Sequence, residues 1–103
     1  MIQRKSNTIE ACKALRTLGE TGIKADDTVF YDTAIKTGSG YPCVCKYHGV
    51  WMLLAVREQG ADYKVRNWDE QGAPVDFTAD KTELEIVGRV IQVTHSIDIP
   101  NVG

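Results

Sequence analysis

From residue 26 onward short apolar segments are separated by polar turn residues, and this pattern predicts β-strands, most cleanly at residues 63–66, where apolar and polar residues alternate. The segments are short and rich in β-branched and aromatic residues, and they comprise residues 28–31, 43–47, 50–56, 63–66, 75–77 and 85–93. The connections between them leave no room for crossover helices, so we expect a largely antiparallel sheet. Folding that sheet over into a partly open β-barrel would enclose its apolar faces and limit its open edges.

Turn residues separate these segments. His48 and Gly49 form a plausible tight hairpin turn between two strands. Residues 37–40 and 58–62 read as further turns, and residues 67–74 as an irregular connection. Pro42 limits strand pairing at its own position because it lacks a backbone N–H.

A different spacing precedes the strands and predicts one short helix over residues 7–18. Asn7 or Thr8 can cap its start, and Gly19 offers a stop. The apolar side recurs at helical spacing through Ile9, Cys12, Leu15 and Leu18. This helix either packs on the sheet or binds a partner. The candidate partner-binding residues are Ile9, Leu15, Trp51 and Trp68.

Composition describes an ordinary small globular chain. It has 103 residues, of which 43% are hydrophobic and 25% charged, with a net charge of −2. We therefore expect a single domain without a broad basic face for nucleic acid. Apolar runs are too short to span a bilayer, and the basic start lacks the apolar stretch of a secretory signal, so a cytoplasmic protein is predicted.

The three cysteines do not predict a metal site. Cys43 and Cys45 would share one face of a strand, and His48 follows shortly after. A fourth ligand at zinc-site spacing is missing, so we interpret the thiols as buried and reduced. No metal or other cofactor is predicted.

Four segments in order carry a resemblance to a known family. Residues 26–32 form an acidic and apolar strand, residues 47–54 a hairpin with an aromatic residue, and residues 63–67 an alternating strand, while residues 86–90 read Ile-Val-Gly-Arg-Val. Together they resemble the LexA/UmuD-like domain, the self-cleaving serine–lysine fold of bacterial and phage repressors. The resemblance covers residues 20–94, leaving residues 1–19 as an N-terminal segment and 95–103 as a tail. It implies a LexA-type β-domain preceded by the short helix.

The catalytic pair of that family is missing from the matching positions. Its mechanism needs a serine activated by a buried neutral lysine. The serine position falls at Leu18 and the lysine position at Leu54, and residues 51–56 contain no lysine in any register. Self-cleavage is therefore not expected, and we assign no catalytic residue.

A scaffold without its catalytic pair points to association. The resemblance implies a non-catalytic interaction or oligomerisation protein, regulatory in a phage or other mobile element. It would form a homodimer and bind a protein partner, for example a repressor of the same fold. The contact would use strand edges or the N-terminal helix.

Two other hypotheses stay open. The chain could be the dimerisation domain of a transcription regulator that touches DNA through its basic N-terminal segment, with Arg4, Lys5, Lys13 and Arg16 on phosphates. It could also be an enzyme that uses His48 or the carboxylates Asp26, Asp27 and Asp32, although no convergent polar set is visible.

Overall fold

Seven antiparallel strands form one open sheet in the computed structural model, which describes residues 8–95. In ladder order the sheet reads β1-β2-β7-β3-β4-β5-β6, with β1 and β6 at its two edges. The mainly β, antiparallel architecture predicted from the short strand segments and their short connections is confirmed. The strands are β1 (Ile9–Lys13), β2 (Thr28–Asp32), β3 (Ser39–Tyr47), β4 (Val50–Gln59), β5 (Asp62–Trp68), β6 (Pro74–Asp80) and β7 (Leu84–Thr94).

The helix predicted over residues 7–18 is wrong. Residues 9–13 form β1, which pairs with β2 from Ile9 opposite Asp32 to Lys13 opposite Thr28, and no helix occurs between residues 8 and 95. A helix this short is marginal in water without tertiary support, whereas the exposed edge of β2 provides backbone partners. Residue 7 lies outside the described part. Residues 8–95 contain no helix that is long and apolar enough to cross a membrane.

The hairpin predicted at His48 and Gly49 is confirmed and joins β3 to β4. Both residues have positive φ angles, 50° for His48 and 82° for Gly49. Positive φ at both central positions defines a type I′ turn, whose twist matches that of the flanking strands. Gly49 meets this requirement without steric cost.

The long strand β7 joins the two halves of the sheet. Its first half pairs with β3, from Leu84 opposite Tyr47 to Arg89 opposite Cys43, and its second half pairs with β2. Gly88 lies where the halves meet, and a Cβ built there would be 2.6 Å from the carbonyl oxygen of Asp32. The close approach of β2 at this point therefore requires glycine.

Side chains of β4 alternate between two separate cores. Leu54 contributes to one and Leu53 packs against the other, so β4 is covered on both faces. The first core comprises Cys43, Cys45, Leu54, Val56, Val65, Ala79, Leu84 and Ile86. The second core comprises Ala14, Leu18, Ile23, Val29 and Trp68.

The sheet curls around the first core. Three residues, 81–83, connect β6 to β7, although three strands lie between them in ladder order. Such a connection spans at most about 14 Å, whereas four strand spacings in a flat sheet require about 19 Å. The rings of Tyr47 on β3 and Phe77 on β6 accordingly meet, with centroids 5.4 Å apart.

The second core is covered by residues 14–27, which we call the wrap segment. The indole N–H of Trp68 donates to the carbonyl of Gly19 at 2.9 Å, and the Arg16 guanidinium donates to the carbonyl of Trp68 at 2.8 Å. Within the segment the N–H of Leu18 donates to the carbonyl of Ile23 at 2.9 Å. These bonds hold an irregular segment against β5.

Candidate functional site

A groove of about 440 Å³ opens between the start of the wrap segment and one end of strands β3 and β4. Its volume lies within the range of ligand-binding clefts in proteins. Most of the lining is apolar. The lining residues are Cys12, Lys13, Leu15, Arg16, Leu18, Val44, Trp51, Met52, Leu53 and Asn67.

Two large apolar side chains stand exposed at this groove. Leu15 is 90% exposed and Trp51 is 54% exposed. Leu15 points outward because its neighbour Ala14 is buried and pinned, donating its N–H to the carbonyl of Asp27 and accepting from the N–H of Asp26. Exposed apolar groups that share a groove are typical of interaction sites, whereas scattered ones are not.

The rim of the groove is basic. Lys13 and Arg16 line it, and the ammonium group of Lys46 lies 4.8 Å from the centroid of the Trp51 ring. A cation over an indole face is attracted by the ring and also holds the ring in one orientation. Among residues 8–95 no acidic side chain lines this groove. The site therefore combines an apolar floor with positive charge at its edge.

The predicted partner-binding residues divide between the groove and other parts of the fold. Leu15 and Trp51, 36 positions apart in the sequence, come together at the groove. Ile9 is 39% exposed on β1 but does not line the groove. Trp68 is only 2% exposed and belongs to the second core, so it has no free surface for a partner.

The predicted DNA contacts divide as well. Lys13 and Arg16 are exposed at the groove rim, and Arg16 also bonds the backbone of β5. Arg4 and Lys5 lie outside the described residues. The two cations that can be placed therefore flank an apolar surface.

Sequence reasoning missed the floor of the groove, which is formed by Val44 and Leu53. One signal was present. The run Met52-Leu53-Leu54 breaks the alternation of β4, and consecutive apolar residues on a strand indicate that both of its faces are covered. The wrap segment is the cover on the second face.

Leu18 and Leu54, the positions matched to the family serine and lysine, belong to different cores. Leu18 lies in the second core and Leu54 in the first, on opposite sides of β4. A nucleophile and its base must lie within hydrogen-bonding reach of each other. These two positions are therefore not juxtaposed as a catalytic pair would be.

Asp27 is the one buried charged residue of the described chain, with 3% of its surface exposed. Its carboxylate accepts the N–H of Lys24 at 2.8 Å and lies 2.7 Å from Nδ1 of His95. Burial has the largest single influence on the Asp27 pKa and raises it, but the bonds from Lys24 and His95 and their charges outweigh burial, so the pKa is lowered. Asp27 thus ties the end of β7 to the wrap segment.

Asp32 and His48, which were also considered for catalysis, make local contacts. Asp32 accepts the N–H of Ala34 at 2.9 Å in a local turn. His48 is exposed in its hairpin, with Nε2 lying 3.6 Å from the carboxylate of Glu83. These are local contacts typical of turns.

Cys43 and Cys45 are buried and Cys12 is partly buried. Burial raises the pKa of Cys43 to about 11 and also raises the pKa values of Cys45 and Cys12. In the described range no group of three histidine, cysteine or acidic side chains is placed to hold a metal ion.

Comparison of the chain with protein-family models, with curated proteins and with solved structures gave no match.

Proposed function

We propose that this chain is a non-catalytic interaction protein that binds a protein partner at the groove between Leu15 and Trp51. The observation that supports this proposal is the exposure of both apolar side chains at one cleft. Burying such side chains against a partner contributes about 25 cal/mol per Å² of apolar area. Trp is also among the residues that most often dominate binding energy at interfaces.

The rest of the predicted function is proposed on the sequence resemblance. It comprises a LexA-type scaffold, homodimer formation, a cytoplasmic location and a regulatory role in a phage or mobile element. The partner would be a repressor of the same fold. The groove proposal rests on exposed residues instead and does not depend on this ancestry. Because β1 stands where an N-terminal helix was expected, we propose that the irregular stretch carrying Leu15 makes the contact that the helix would have made.

An affinity capture with matched variants tests the proposal. Tagged protein is incubated with lysate of the source organism, and retained proteins are identified and quantified by mass spectrometry. A protein retained by wild type in stoichiometric amount should be reduced at least tenfold by Leu15→Ser and by Trp51→Ser. Val75→Ser, at an apolar residue that is 49% exposed on the far edge strand β6, is the control and should retain the partner.

Two results would contradict the proposal. Equal loss of the partner in all three variants would show that the groove is not the contact. Self-cleavage of the purified protein at alkaline pH would show that the chain is an enzyme.

DNA binding is the second candidate, favoured by the presence of Lys13 and Arg16 on one rim. Its test is fluorescence anisotropy with labelled duplex DNA at 50 and 200 mM salt. A contact through phosphates should weaken steeply with salt. Absence of binding at the lower salt concentration would remove this candidate.

A further inference from the structure

We infer that the groove receives an extended peptide segment of the partner, which adds as an eighth strand to the edge of β1 and alternates apolar with acidic residues. This inference rests on the proposed function and specifies its partner. Three features of the described chain support it: the hydrogen-bonding direction of β1, the position of the groove beside that edge, and the charge of the rim.

The backbone of β1 has one side free for pairing. The N–H of Thr33 donates to the carbonyl of Thr8 at 2.8 Å, and the N–H of Ala14 donates to the carbonyl of Asp27 at 2.9 Å. These bonds fix which residues of β1 hydrogen-bond to β2. The backbone N–H and C=O groups of Glu10 and Cys12 therefore also point toward β2. The N–H and C=O groups of Ile9, Ala11 and Lys13 then point away from the sheet, and among residues 8–95 no strand lies on that side of β1.

The groove lies beside this free edge. Cys12 and Lys13 at the end of β1 are part of its lining, together with Leu53 and Trp51 of β4. The side chain of Cys12 packs against the second core, which shows that this face of β1 is the one that meets the groove. A strand added to β1 would therefore direct every second side chain toward the apolar lining.

The charged residues near the free edge of β1 indicate which side chains the peptide carries at the positions that do not point into the groove. Lys13, Arg16 and Lys46 are the cations at the groove, and Glu10 is the acidic residue of β1. The side chain of Lys13 leaves β1 on the face opposite to that of Cys12, so acidic side chains at the alternate positions of the added strand would meet Lys13, whereas basic ones would be repelled. Since β1 has five residues, a segment of about seven residues covers the edge and both ends.

The test uses a synthetic heptapeptide that alternates glutamate with isoleucine, and the full chain labelled with ¹⁵N. Amide hydrogen exchange is followed by NMR with and without the peptide. In the free protein the amides of Ile9, Ala11 and Lys13 should exchange fast, and bound peptide should slow them at least tenfold. The amide of Cys12, already paired with β2, is the internal control and should change little.

A matched peptide and a matched variant test the charge requirement. A heptapeptide that alternates lysine with isoleucine should bind wild type at least tenfold more weakly. The double substitution Lys13→Glu and Arg16→Glu should reverse this preference. Retained preference for the acidic peptide in that variant would overturn the assignment of partner charge.

Two outcomes would overturn strand addition, and a third would overturn the partner as the source of the added strand. The first is failure of the acidic peptide to bind. The second is binding that leaves the three edge amides unprotected. The third is binding that tightens more than tenfold in the full-length double variant Ile97→Ser and Ile99→Ser, because the segment Ile97-Asp98-Ile99 has the same alternation and would then be the occupant. None of these outcomes alters the capture experiment with Leu15→Ser, so failure of the inference is distinguishable from failure of the proposed function.

Discussion

The indole N–H of Trp68 donates to the carbonyl oxygen of Gly19 at 2.9 Å, joining the end of β5 to the wrap segment 49 positions earlier. The ring itself lies in the second core, so one side chain provides both apolar packing and a polar anchor. The wrap segment contains no regular secondary structure of its own, apart from a bridge between Leu18 and Ile23. Its position therefore depends on such side-chain bonds.

We expect Trp68→Phe to lower the free energy of unfolding by about 1–3 kcal/mol, the usual cost of leaving a buried hydrogen-bonding group unpaired. The measurement is equilibrium unfolding in urea. Trp51→Phe is the control and should change stability by less than about 0.5 kcal/mol, because that ring is largely exposed. Equal effects of the two substitutions would show that Trp68 does not anchor the wrap segment.

Asp27 should make stability depend on acid pH. Its folded-state pKa is lowered from an ordinary value of 3.8, so between the two pKa values the unfolded state binds more protons than the folded state. The stabilisation is therefore fully present above the unfolded pKa and is lost as pH falls through the folded pKa. Asp27→Asn removes this titration and also the charge that faces His95 and Lys24.

Urea midpoints measured from pH 7 down to pH 2 check this prediction. We expect Asp27→Asn to destabilise the protein at pH 7 and to show a shallower decline below pH 4 than wild type. Asp62→Asn, at a half-buried carboxylate that forms no salt bridge within residues 8–95 and interacts with Lys81 only through its charge, serves as control and should keep the wild-type decline. Parallel curves for wild type and Asp27→Asn would refute the role of Asp27.

The strands were predictable from sequence because period-two alternation and turn residues are local signals. The same signals failed at β1, where the spacing of Ile9, Cys12, Leu15 and Leu18 matches a helix. The outcome there depends on the edge of β2, which lies about 20 residues further along the chain. Pairing of this kind is a tertiary property that a local window does not contain.

The groove was predictable only in part. Leu15 and Trp51 stood out as large apolar residues, but their meeting depends on how β1 and the wrap segment cross the end of β4. The same packing places Trp68 in the core and leaves Trp51 exposed. Composition cannot distinguish the two tryptophans. The way in which distant elements cross determines which tryptophan is buried.

Gly88→Ala should destabilise the protein by more than the change of residue alone would cost. A Cβ at this position would lie 2.6 Å from the carbonyl oxygen of Asp32, so β2 and β7 would have to separate locally. Overpacking of this kind typically costs about 1–3 kcal/mol. Thermal unfolding followed by circular dichroism measures the effect. A variant as stable as wild type would show that β2 can shift without loss.

The thiols should resist modification until the protein unfolds. Burial raises the pKa of Cys43 to about 11 and raises that of Cys45 as well, so neither has appreciable thiolate at pH 8. With Ellman's reagent at pH 8 we expect Cys43 and Cys45 to be silent and half-buried Cys12 to react slowly, whereas all three should react at once in 6 M guanidinium chloride. Cys12→Ser should remove the slow phase. Rapid reaction of two thiols in the native Cys12→Ser variant would show that the first core opens readily.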